Sequence, residues 1–540
     1  MAEVDTDVAV IGGGLGGVAA ALAAARTGHR VVLTCHDAWL GGQLTSQAVP
    51  PDEHPWIERH GCTASYRRLR DGIRAHYRRW YPLTATARAH PALNPGGGWV
   101  SGLCHEPTAA VAVIDALLAP WRTAGRLTIL RERHPVAADI NGGHVQAVTV
   151  AGRDRRTTIT ARYVIDATEL GDLLPLTGAE HVTGAEARAD TGEPHAPATA
   201  QPHEMQAVSA CFAVDHRAGE DHTIDRPASY ARWRDQRLPG WPGPRFSFHG
   251  PDPHDPRGSI RHTFVPNPEG EPHAAVAAHH ADPAANDLWL FRRIVARRNF
   301  VPGHFDSDVT LVNWPMLDHV GGPLIGDDHE VVASQRTAAR DLAHSLLHWL
   351  QTEAPRPDGG TGFPGLRPRG DLLGSDDLLA RDLYIRESRR IRARTTIVEQ
   401  DVVADLRPDG RATSYPDSVG VGAYRLDLHP TTGGRHFFDV PALPFEIPLG
   451  ALVPVRLRNL LAGAKNLGTT HLTNGCYRLH PVEWNVGEAA GLLAGFCVGR
   501  DVEPAQVHED PRWLTAFQSL LDAQGVERRW PRGSGAPSVD

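Results

Sequence analysis

The apolar positions near the start of the chain alternate between two strand-like runs and one helical stretch. Val8, Val10 and Ile11 form a short apolar run, residues 18–25 are alanine-rich, and residues 30–34 form a second apolar run. A glycine-rich turn at 12–17 separates the first run from the helical stretch. This order predicts a β-α-β unit at the N-terminus.

The spacing of apolar residues also predicts helices and strands further along the chain. Apolar residues at helical spacing predict helices over 65–80, 107–119, 331–352 and 483–496. Apolar or alternating runs predict strands over 127–140, 145–150, 157–167, 260–265 and 453–462. The stretch 354–377 is rich in Gly, Pro and Asp, which favours an exposed loop or a mobile lid.

Length and charge restrict the class of protein. A chain of 540 residues exceeds what one hydrophobic core usually serves, so two interwoven domains are expected. The net charge of -8 gives no basic field, which argues against nucleic acid or an anionic membrane surface as partner. The N-terminus lacks a basic leader, and no apolar run is long enough to span a bilayer. We therefore expect a cytoplasmic protein with a small-molecule substrate, and leave its oligomeric state open.

The cysteines and histidines do not predict a disulfide framework or a metal site. The six cysteines are widely spaced and contain no CxxC pair, so reduced thiols are expected. His344 and His348 have the spacing of a metal pair on a helix, but no third ligand accompanies them. No metal is expected.

The glycine turn carries the strongest chemical signal. Gly12, Gly14 and Gly17 form a GxGxxG pattern between a predicted strand and a predicted helix. The first glycine permits the tight turn, the second lets a pyrophosphate approach the backbone, and the third lets helix and strand pack closely. Amides at the helix N-terminus then face the phosphates. The pattern predicts a bound dinucleotide.

Four longer motifs extend this signal over most of the chain. They are WLGGQLTSQ at 39–47, YVIDATELGD at 163–172, YIRESRRI at 384–391 and GAKNLGTTHLTNGCYRLHPVEWNVGEAAG at 463–491. With the glycine turn, they resemble the FAD-dependent oxidoreductases related to the glutathione reductase and succinate dehydrogenase flavoproteins. The resemblance implies FAD as cofactor and a two-electron redox reaction.

The resemblance also implies an α/β fold with a Rossmann-like FAD-binding domain built from discontinuous segments. These segments are 1–46, 105–185 and 451–500. A loop and helix insertion at 47–104, an inserted mixed α+β substrate domain at 186–450 and a C-terminal extension at 501–540 complete the expected organisation.

One position departs from the fingerprint. An acidic residue that binds the adenosine ribose is expected at the end of the second strand, about 20 residues after the glycines. The chain has Cys35 and His36 there, and Asp37 comes two places late. Either Asp37 reaches the ribose or a weaker contact from Cys35 or His36 replaces the acid. Covalent attachment of the flavin through His36 is a third alternative.

The resemblance assigns further cofactor-binding residues. Residues 41–44 are expected beside the flavin and the pyrophosphate, and Val136 is expected to touch the adenine through its backbone. A helix N-terminus at 485–489 is expected at the pyrimidine edge, where it stabilises the negative charge of reduced flavin. The individual residues are Gly41, Gly42, Gln43, Leu44, Val136, Ala167, Thr168, Asn485, Gly487, Glu488 and Ala489.

Candidate catalytic residues cluster just before that helix. Hydride transfer to flavin N5 needs proximity, orientation and a proton acceptor. His480 and His471 are candidates for general acid or base, with Tyr477 beside them. Arg478 is a candidate anchor for an anion or stabiliser of a developing oxyanion. The alternative for both histidines is hydrogen bonding to loop backbone.

Candidate substrate-binding residues are less specific. Arg386 and Arg390 could bind a carboxylate or phosphate in bidentate fashion, or form an ion-pair lattice between domains. Asn313 and Trp314 are candidates for the substrate side, with core packing as an equal alternative for Trp314.

The preferred function is a dehydrogenase or oxidase that acts on a small polar metabolite and passes electrons to oxygen or an unidentified partner. A reductase of activated double bonds and a monooxygenase fed by a partner are alternatives, as is a flavin-binding protein without turnover. The single glycine fingerprint argues against a separate NAD(P)H-binding domain.

Overall fold

The computed structural model describes residues 2–153, 155–255, 258–269, 287–326 and 328–531. Its strands are β1 (Ala2–Ile11), β2 (Val31–Thr34), β3 (Leu127–Leu130), β4 (His134–Asn141), β5 (His144–Ala151), β6 (Arg156–Asp166), β7 (His181–Val182), β8 (Phe212–His216), β9 (His249–Pro251), β10 (Ser259–Arg261), β11 (Arg293–Val295), β12 (Val309–Val312), β13 (Leu366–Pro368), β14 (Arg390–Ile391), β15 (Ser418–Gly422), β16 (Leu426–Leu428), β17 (Phe438–Val440), β18 (Phe445–Pro448) and β19 (Leu460–Ala462).

Its helices are α1 (Leu15–Arg26), α2 (Ala64–Trp80), α3 (Ala85–Ala89), α4 (Pro107–Thr123), α5 (Leu173–Thr177), α6 (Arg188–Thr191), α7 (Tyr230–Asp235), α8 (Leu288–Phe291), α9 (His329–Thr352), α10 (Gly370–Leu373), α11 (Glu399–Val402), α12 (His471–Tyr477), α13 (His480–Arg500), α14 (Pro504–Glu509) and α15 (Pro511–Ala523).

The main sheet has the strand order β3-β2-β1-β6-β5-β4. Strands β3, β2, β1 and β6 are parallel, and β19 adds in parallel to the C-terminal half of β6. Strands β5 and β4 continue the sheet in antiparallel fashion. The carboxyl ends of β1, β2, β6 and β19 therefore meet at one edge, which is where ligands bind in open α/β sheets. This arrangement confirms the α/β class and a Rossmann-like parallel sheet.

Helices α1 and α13 pack against each other with their backbones in contact. A Cβ at Gly487 would lie 2.0 Å from the Gly16 carbonyl oxygen, and one at Gly491 would lie 2.2 Å from that of Ala20. Real Cβ atoms do not approach so closely, so glycine is required at both positions of α13. This contact holds α13 beside the helix that follows the glycine turn.

A second, four-stranded sheet has the order β11-β12-β8-β13 and is antiparallel. Residues on one face of this sheet, among them Phe212, Val214 and Val312, form a second core cluster with residues of α9, whereas Ala213, Val309 and Leu311 on the other face belong to the core of the main sheet. Large aromatic residues dominate this second core, among them Trp289, Trp314 and Phe264.

The structure differs from the expected elements at four places. The expected strand 127–140 is divided into β3 and β4, with Glu132 between them at a φ of 55°. The expected strand 453–462 is a strand only over β19, because Pro454 pairs instead with Ala393 in an isolated antiparallel bridge and the chain bends between the two. The expected strand 260–265 is limited to β10, and the expected helix 483–496 begins earlier, at His480.

The expected loop or lid at 354–377 was wrong in part, since it contains β13 and α10. Arg367 and Arg369 from this segment bind Asp215 of β8, with closest distances of 2.6 and 3.2 Å. The segment is therefore an edge of the second sheet. The expected C-terminal extension continues beyond residue 531, and that part lies outside the described residues. Among the helices of the described residues, none is long and apolar enough to cross a membrane.

Candidate functional site

The glycine turn has the close contacts that its pattern predicts. Gly12 has a φ of 111°, in the region that favours glycine. A Cβ at Gly17 would lie 1.9 Å from the Gly12 carbonyl oxygen, so α1 packs directly on the turn. The Gly41 amide donates to the Gly13 carbonyl oxygen at 2.8 Å. The turn and the 41–44 segment are thus joined at the carboxyl edge of the sheet.

Central to this edge is a buried group of charged and polar side chains, called here the Lys465 centre: Gln43, Glu169, Lys465 and Glu483. Lys465 Nζ forms an ion pair with Glu169 and lies 3.9 Å from Glu483 Oε2. Glu483 Oε1 accepts a hydrogen bond from the Gly16 amide at 3.3 Å, and Gln43 Nε2 donates to Glu483. The centre therefore lies at the N-terminus of α1, where the phosphates of a dinucleotide are expected.

Electrostatics keep Lys465 charged. Burial alone lowers the pKa of Lys465, but Glu169 and Glu483 outweigh it and hold the pKa above the usual value. Burial and the nearby Glu169 carboxylate raise the pKa of Glu483, although Lys465 opposes them. Two carboxylates thus share one ammonium group in a dry environment.

Sequence reasoning missed Lys465 although the chain carried a signal for it. Lys465 is the single lysine of the sequence, in which 55 residues are lysine or arginine. It is also fully buried, whereas lysine is usually exposed. Every other residue of the lysine and arginine set is arginine, so the single lysine was a signal that the sequence already contained.

A cavity of about 180 Å³ runs along the same edge of the sheet. Gly12, Thr168 and Glu169 line one part of it, and His36, Arg336 and Asp382 line another. Residues 133–135 also line the cavity, and Val136 follows them on β4. Ala167 and Thr168 connect the cavity to the turn, because the Ala167 amide donates to the Ile11 carbonyl oxygen at 2.7 Å.

A second group of polar side chains surrounds the N-terminus of α13. It is called here the Arg478 cluster and comprises Asp52, Arg292, Tyr384, Tyr424, Asp427, Arg478 and His480. Arg478 binds Asp427 at 3.0 Å and donates from Nη1 to the Tyr384 hydroxyl oxygen at 3.0 Å. Arg292 binds Asp52 at 3.1 Å. Tyr424 lies among the same charges, and burial raises its pKa well above the usual value.

His480 is held in one protonation state. Its Nδ1 accepts a hydrogen bond from the Asp52 amide at 3.0 Å, so the neutral ring carries its proton on Nε2. Burial lowers the pKa of His480 to about 4. Among the described residues, Nε2 has no hydrogen-bond partner. His480 is therefore a neutral donor at physiological pH.

The other two candidates from this region lie apart from the Arg478 cluster. His471 Nδ1 lies 2.9 Å from Glu387 Oε1, within a buried network that includes Arg390. The Tyr477 hydroxyl donates to the Glu446 carbonyl oxygen at 2.8 Å, and its ring stacks on a phenylalanine. Of the four candidates, the structure brings Arg478 and His480 together.

The candidate substrate-binding residues all have partners within the protein or lie in its interior. Arg390 binds Glu387 at 2.6 Å and Glu186 at 3.0 Å, and Arg386 binds an aspartate at 3.2 Å. These contacts match the ion-pair lattice. Trp314 is 1% exposed and belongs to the second core, and the adjacent Asn313 is 6% exposed.

Residues 485–489 lie past the first turn of α13. Asn485 Nδ2 donates to the Val419 carbonyl oxygen at 3.2 Å, and Glu488 binds Arg26 at 2.6 Å. Gly487 contacts α1, and Ala489 is fully buried. The end of α13 that faces the Lys465 centre is instead its first turn, which contains His480 and Glu483.

The thiols of the described residues form no disulfides, and the two histidines of α9 bind to backbone carbonyl groups. All six cysteines are buried and free. His344 and His348 bind the backbone carbonyl oxygens of Asp377 and Ile224. Within the described ranges, no group of three or more potential ligands could hold a metal ion.

The family model for FAD dependent oxidoreductases matches residues 7–521. The chain belongs to this family. It is therefore an FAD-dependent oxidoreductase with FAD as its cofactor, and the interpretation as a protein without turnover is set aside. The glycine turn fits this cofactor, because Gly12 has a positive φ and a Cβ at Gly14 would lie 2.7 Å from Glu169 Oε1, so the turn accommodates only glycine at these positions. No curated protein matches the chain.

Several solved structures are similar to the oxidoreductase. A geranylgeranyl bacteriochlorophyll reductase-like protein from Thermoplasma acidophilum is 10% identical over 97% of this chain and 85% of that chain, with a TM-score of 0.31. Glycerol-3-phosphate dehydrogenase from Bacillus halodurans, complexed with FAD, is 15% identical over 39% and 40%, with a TM-score of 0.24. L-proline dehydrogenase from P. horikoshii is 18% identical over 34% and 24%, with a TM-score of 0.17.

The match thus spans about a quarter of the proline dehydrogenase.

Proposed function

We propose that this oxidoreductase oxidises a small, uncharged polar metabolite, an alcohol, at the Arg478 cluster. Electrons then pass to oxygen or to a separate redox partner. The observation that carries the proposal is the position of this cluster at the first turn of α13, beside the segment expected along the flavin. Bound FAD supplies the redox chemistry by accepting two electrons as a hydride at N5.

Gln43 connects the cluster to the cofactor segment. Its Nε2 donates to the Arg478 carbonyl oxygen at 3.0 Å and also to Glu483. Because Gln43 lies in the short 3-10 helix Gly42–Leu44, this side chain fixes the first turn of α13 against that helix. A substrate bound at the Arg478 cluster would then lie close to the flavin, as hydride transfer requires.

The charges of the cluster favour an uncharged substrate. Arg478 is compensated by Asp427, and Arg292 is compensated by Asp52. An anionic substrate buried here would need a cation that has no carboxylate partner of its own, because removing a charge from water is costly unless the charge is paired. Hydroxyl groups can instead hydrogen-bond to the tyrosines and the carboxylates.

Asp427 is the proposed proton acceptor. Burial raises its pKa, but His429 and Arg478 outweigh burial and hold the pKa below the usual value. Asp427 is therefore ionised, and its side chain is 20% exposed, so an accepted proton can leave to water. His480 donates from Nε2 to the substrate heteroatom and orients it without changing protonation state.

The proposed site draws on the expected substrate domain. Arg292, Tyr384 and Asp427 fall within 186–450, and Asp52 falls within the insertion at 47–104. We therefore assign residues 186–450 the role of an inserted domain that closes over the flavin and supplies most of the substrate contacts.

Anaerobic mixing with a panel of alcohols, amines and carboxylates tests the proposal. We expect an uncharged alcohol to bleach the oxidised flavin. Tyr384→Phe and Asp427→Asn should slow that bleaching about 10- to 1000-fold, the range for losing one positioned polar group. Tyr163→Phe is the matched control, because that hydroxyl binds a distant backbone carbonyl.

Two results would contradict the proposal. One is that only pre-reduced flavin reacts with a substrate, which indicates a reductase. The other is that both cluster variants bleach at the rate of the unmodified enzyme.

A further inference from the structure

The position that usually supplies the ribose-binding acid is closed in this chain. Cys35 is 2% exposed, and its thiol donates to the Trp39 carbonyl oxygen at 3.4 Å. Asp37 accepts from the Trp39 amide at 2.7 Å and binds Arg381 at 2.8 Å. Neither residue is among those that line the cavity, whereas His36 is. A ribose contact from Asp37 or from Cys35 therefore loses its geometric basis, whereas a contact from His36 remains open.

A carboxylate from elsewhere in the chain reaches this part of the cavity. Asp382 lines the cavity, and its Oδ2 lies 2.8 Å from His36 Nε2. Its Oδ1 accepts from Arg336 at 3.0 Å and from the Leu383 amide at 2.8 Å. A carboxylate has about four acceptor positions, and these contacts use three of them. Asp382 thus retains acceptor capacity on the wall of the cavity.

The backbone holds Asp382 firmly in this place. The Asp382 amide donates to the Ser46 carbonyl oxygen at 2.9 Å, and the Ala380 amide donates to that of Cys211 at 2.7 Å. Ser46 follows the cofactor segment, and Cys211 precedes a strand of the second sheet. The carboxylate is therefore positioned by both parts of the molecule.

The pair of side chains matches the hydrogen-bonding needs of a vicinal diol. Burial alone lowers the pKa of His36, but the bound Asp382 raises it to about 9, so the imidazole is a cation with two N–H donors. Burial raises the pKa of Asp382, but His36 outweighs it and holds the pKa well below the usual value. One group donates and the other accepts, as two adjacent hydroxyls require.

We propose that His36 and Asp382 together bind the ribose diol at the adenosine end of FAD, in place of the acid that Cys35 replaces. The proposal rests on FAD being bound at the glycine turn. It has a structural consequence, because Asp382 and its partner Arg336 lie outside the main sheet. Cofactor binding then fastens α9 and the 380–384 segment to the end of β2.

The first test uses the unmodified full-length chain after removal of FAD, titrated by calorimetry. ADP and 2′-deoxy-ADP differ only in the diol, and FMN lacks adenosine altogether. We expect ADP to bind about 10- to 100-fold more tightly than 2′-deoxy-ADP, the value of a hydrogen bond to a charged group. Equal affinity for ADP and 2′-deoxy-ADP would overturn the proposal. So would tighter binding of 2′,5′-ADP than of ADP, because the cationic groups would then serve a phosphate.

The second test uses variants. Asp382→Asn and His36→Gln should weaken FAD and ADP about 10- to 100-fold, leave FMN unchanged and remove the discrimination against 2′-deoxy-ADP. Asp37→Asn is the matched control and should retain it. A loss reproduced by Asp37→Asn, or an equal loss for FAD and FMN, would contradict the assignment. Unmodified protein that takes up no FAD would instead contradict the cofactor itself, so the two failures are distinguishable.

Discussion

Replacing Lys465 with methionine removes the ammonium group that Glu169 and Glu483 share. The methionine side chain has a similar length and keeps the packing, so the variant isolates the charge. Lys465 is fully buried, and the two carboxylates are 8% and 1% exposed, so little water can replace the lost partner. Both carboxylates are then left in a dry environment without a cation.

The magnitude follows from the loss of one partner of a buried ion pair. Such a loss costs about 3–5 kcal/mol. Unfolding entropy is about 2.1 cal/mol/K per residue, which gives about 1.1 kcal/mol/K for a chain of this length that unfolds as a unit. The melting temperature of Lys465→Met should therefore fall by about 3–4 °C.

The pH dependence of the melting temperature provides a second, independent test of this reasoning. The pKa of Glu483 is already raised by burial, and loss of Lys465 raises it further because Lys465 opposes that shift. A carboxyl group whose pKa is higher in the folded state stabilises the fold at low pH, and this contribution is lost as pH rises through the folded pKa. The deficit of Lys465→Met relative to the unmodified protein should thus be smaller at acidic pH and increase as the pH rises.

Calorimetric melting at pH 5.5 and 8 measures both effects. A double variant, Lys465→Met with Glu169→Gln, should recover most of the deficit because one carboxylate is then neutral. Lys465→Arg should not rescue fully, since the larger guanidinium has five donors for a site shaped around one ammonium. Unchanged melting at pH 8, or a deficit that does not depend on pH, would refute the reasoning.

Three further outcomes are expected. Gly487→Ala should lower the melting temperature, since its Cβ would meet the backbone of α1 at 2.0 Å. Gly499→Ala on the same helix is the control: its Cβ would have nothing within 4 Å, so this variant should be neutral or slightly stabilising. Equal melting temperatures for the two variants would contradict the packing of α13 on α1. Burial lowers the pKa of both His54 and His105 to about 4. The urea concentration at the midpoint of unfolding should therefore fall as the pH drops from about 6.5 to 4. A midpoint that does not change over this range would contradict the burial of both histidines in the neutral form. Gly14→Asp should abolish FAD retention, measured by absorbance after gel filtration, because its carboxylate would enter the turn beside Glu169; full FAD content would contradict that position of the cofactor.

Sequence analysis predicted correctly those parts of the molecule whose structure depends on residues close together in the chain. The β-α-β start and the glycine turn are local patterns, and Gly12 has the positive φ that the pattern requires. The strand expected over 453–462 was too long because apolar content alone does not reveal that Pro454 pairs with Ala393, far away in sequence, instead of continuing the main sheet. The lid expected over 354–377 was wrong in part because ion pairs to Asp215, far away in sequence, fix its arginines.

The candidate site was predictable only where it followed one segment. Arg478 and His480 were recognised because they lie two residues apart at the start of α13. Asp382 was not, since 346 residues separate it from His36, and no local pattern records that contact. Lys465 meets a partner 296 residues away. Only the fold brings such residues together.

Helix α13 connects the redox site to the stability of the fold. Its first turn carries His480 and Glu483, one in each of the two polar groups, and its middle turns lie in backbone contact with α1. A displacement of α13 would therefore move the Arg478 cluster and the Lys465 centre together. Because Gln43 ties that first turn to the segment beside the flavin, cofactor binding and substrate binding should respond jointly to changes in this helix. Variants along the α1 contact, far from any reacting atom, should then alter both FAD affinity and turnover.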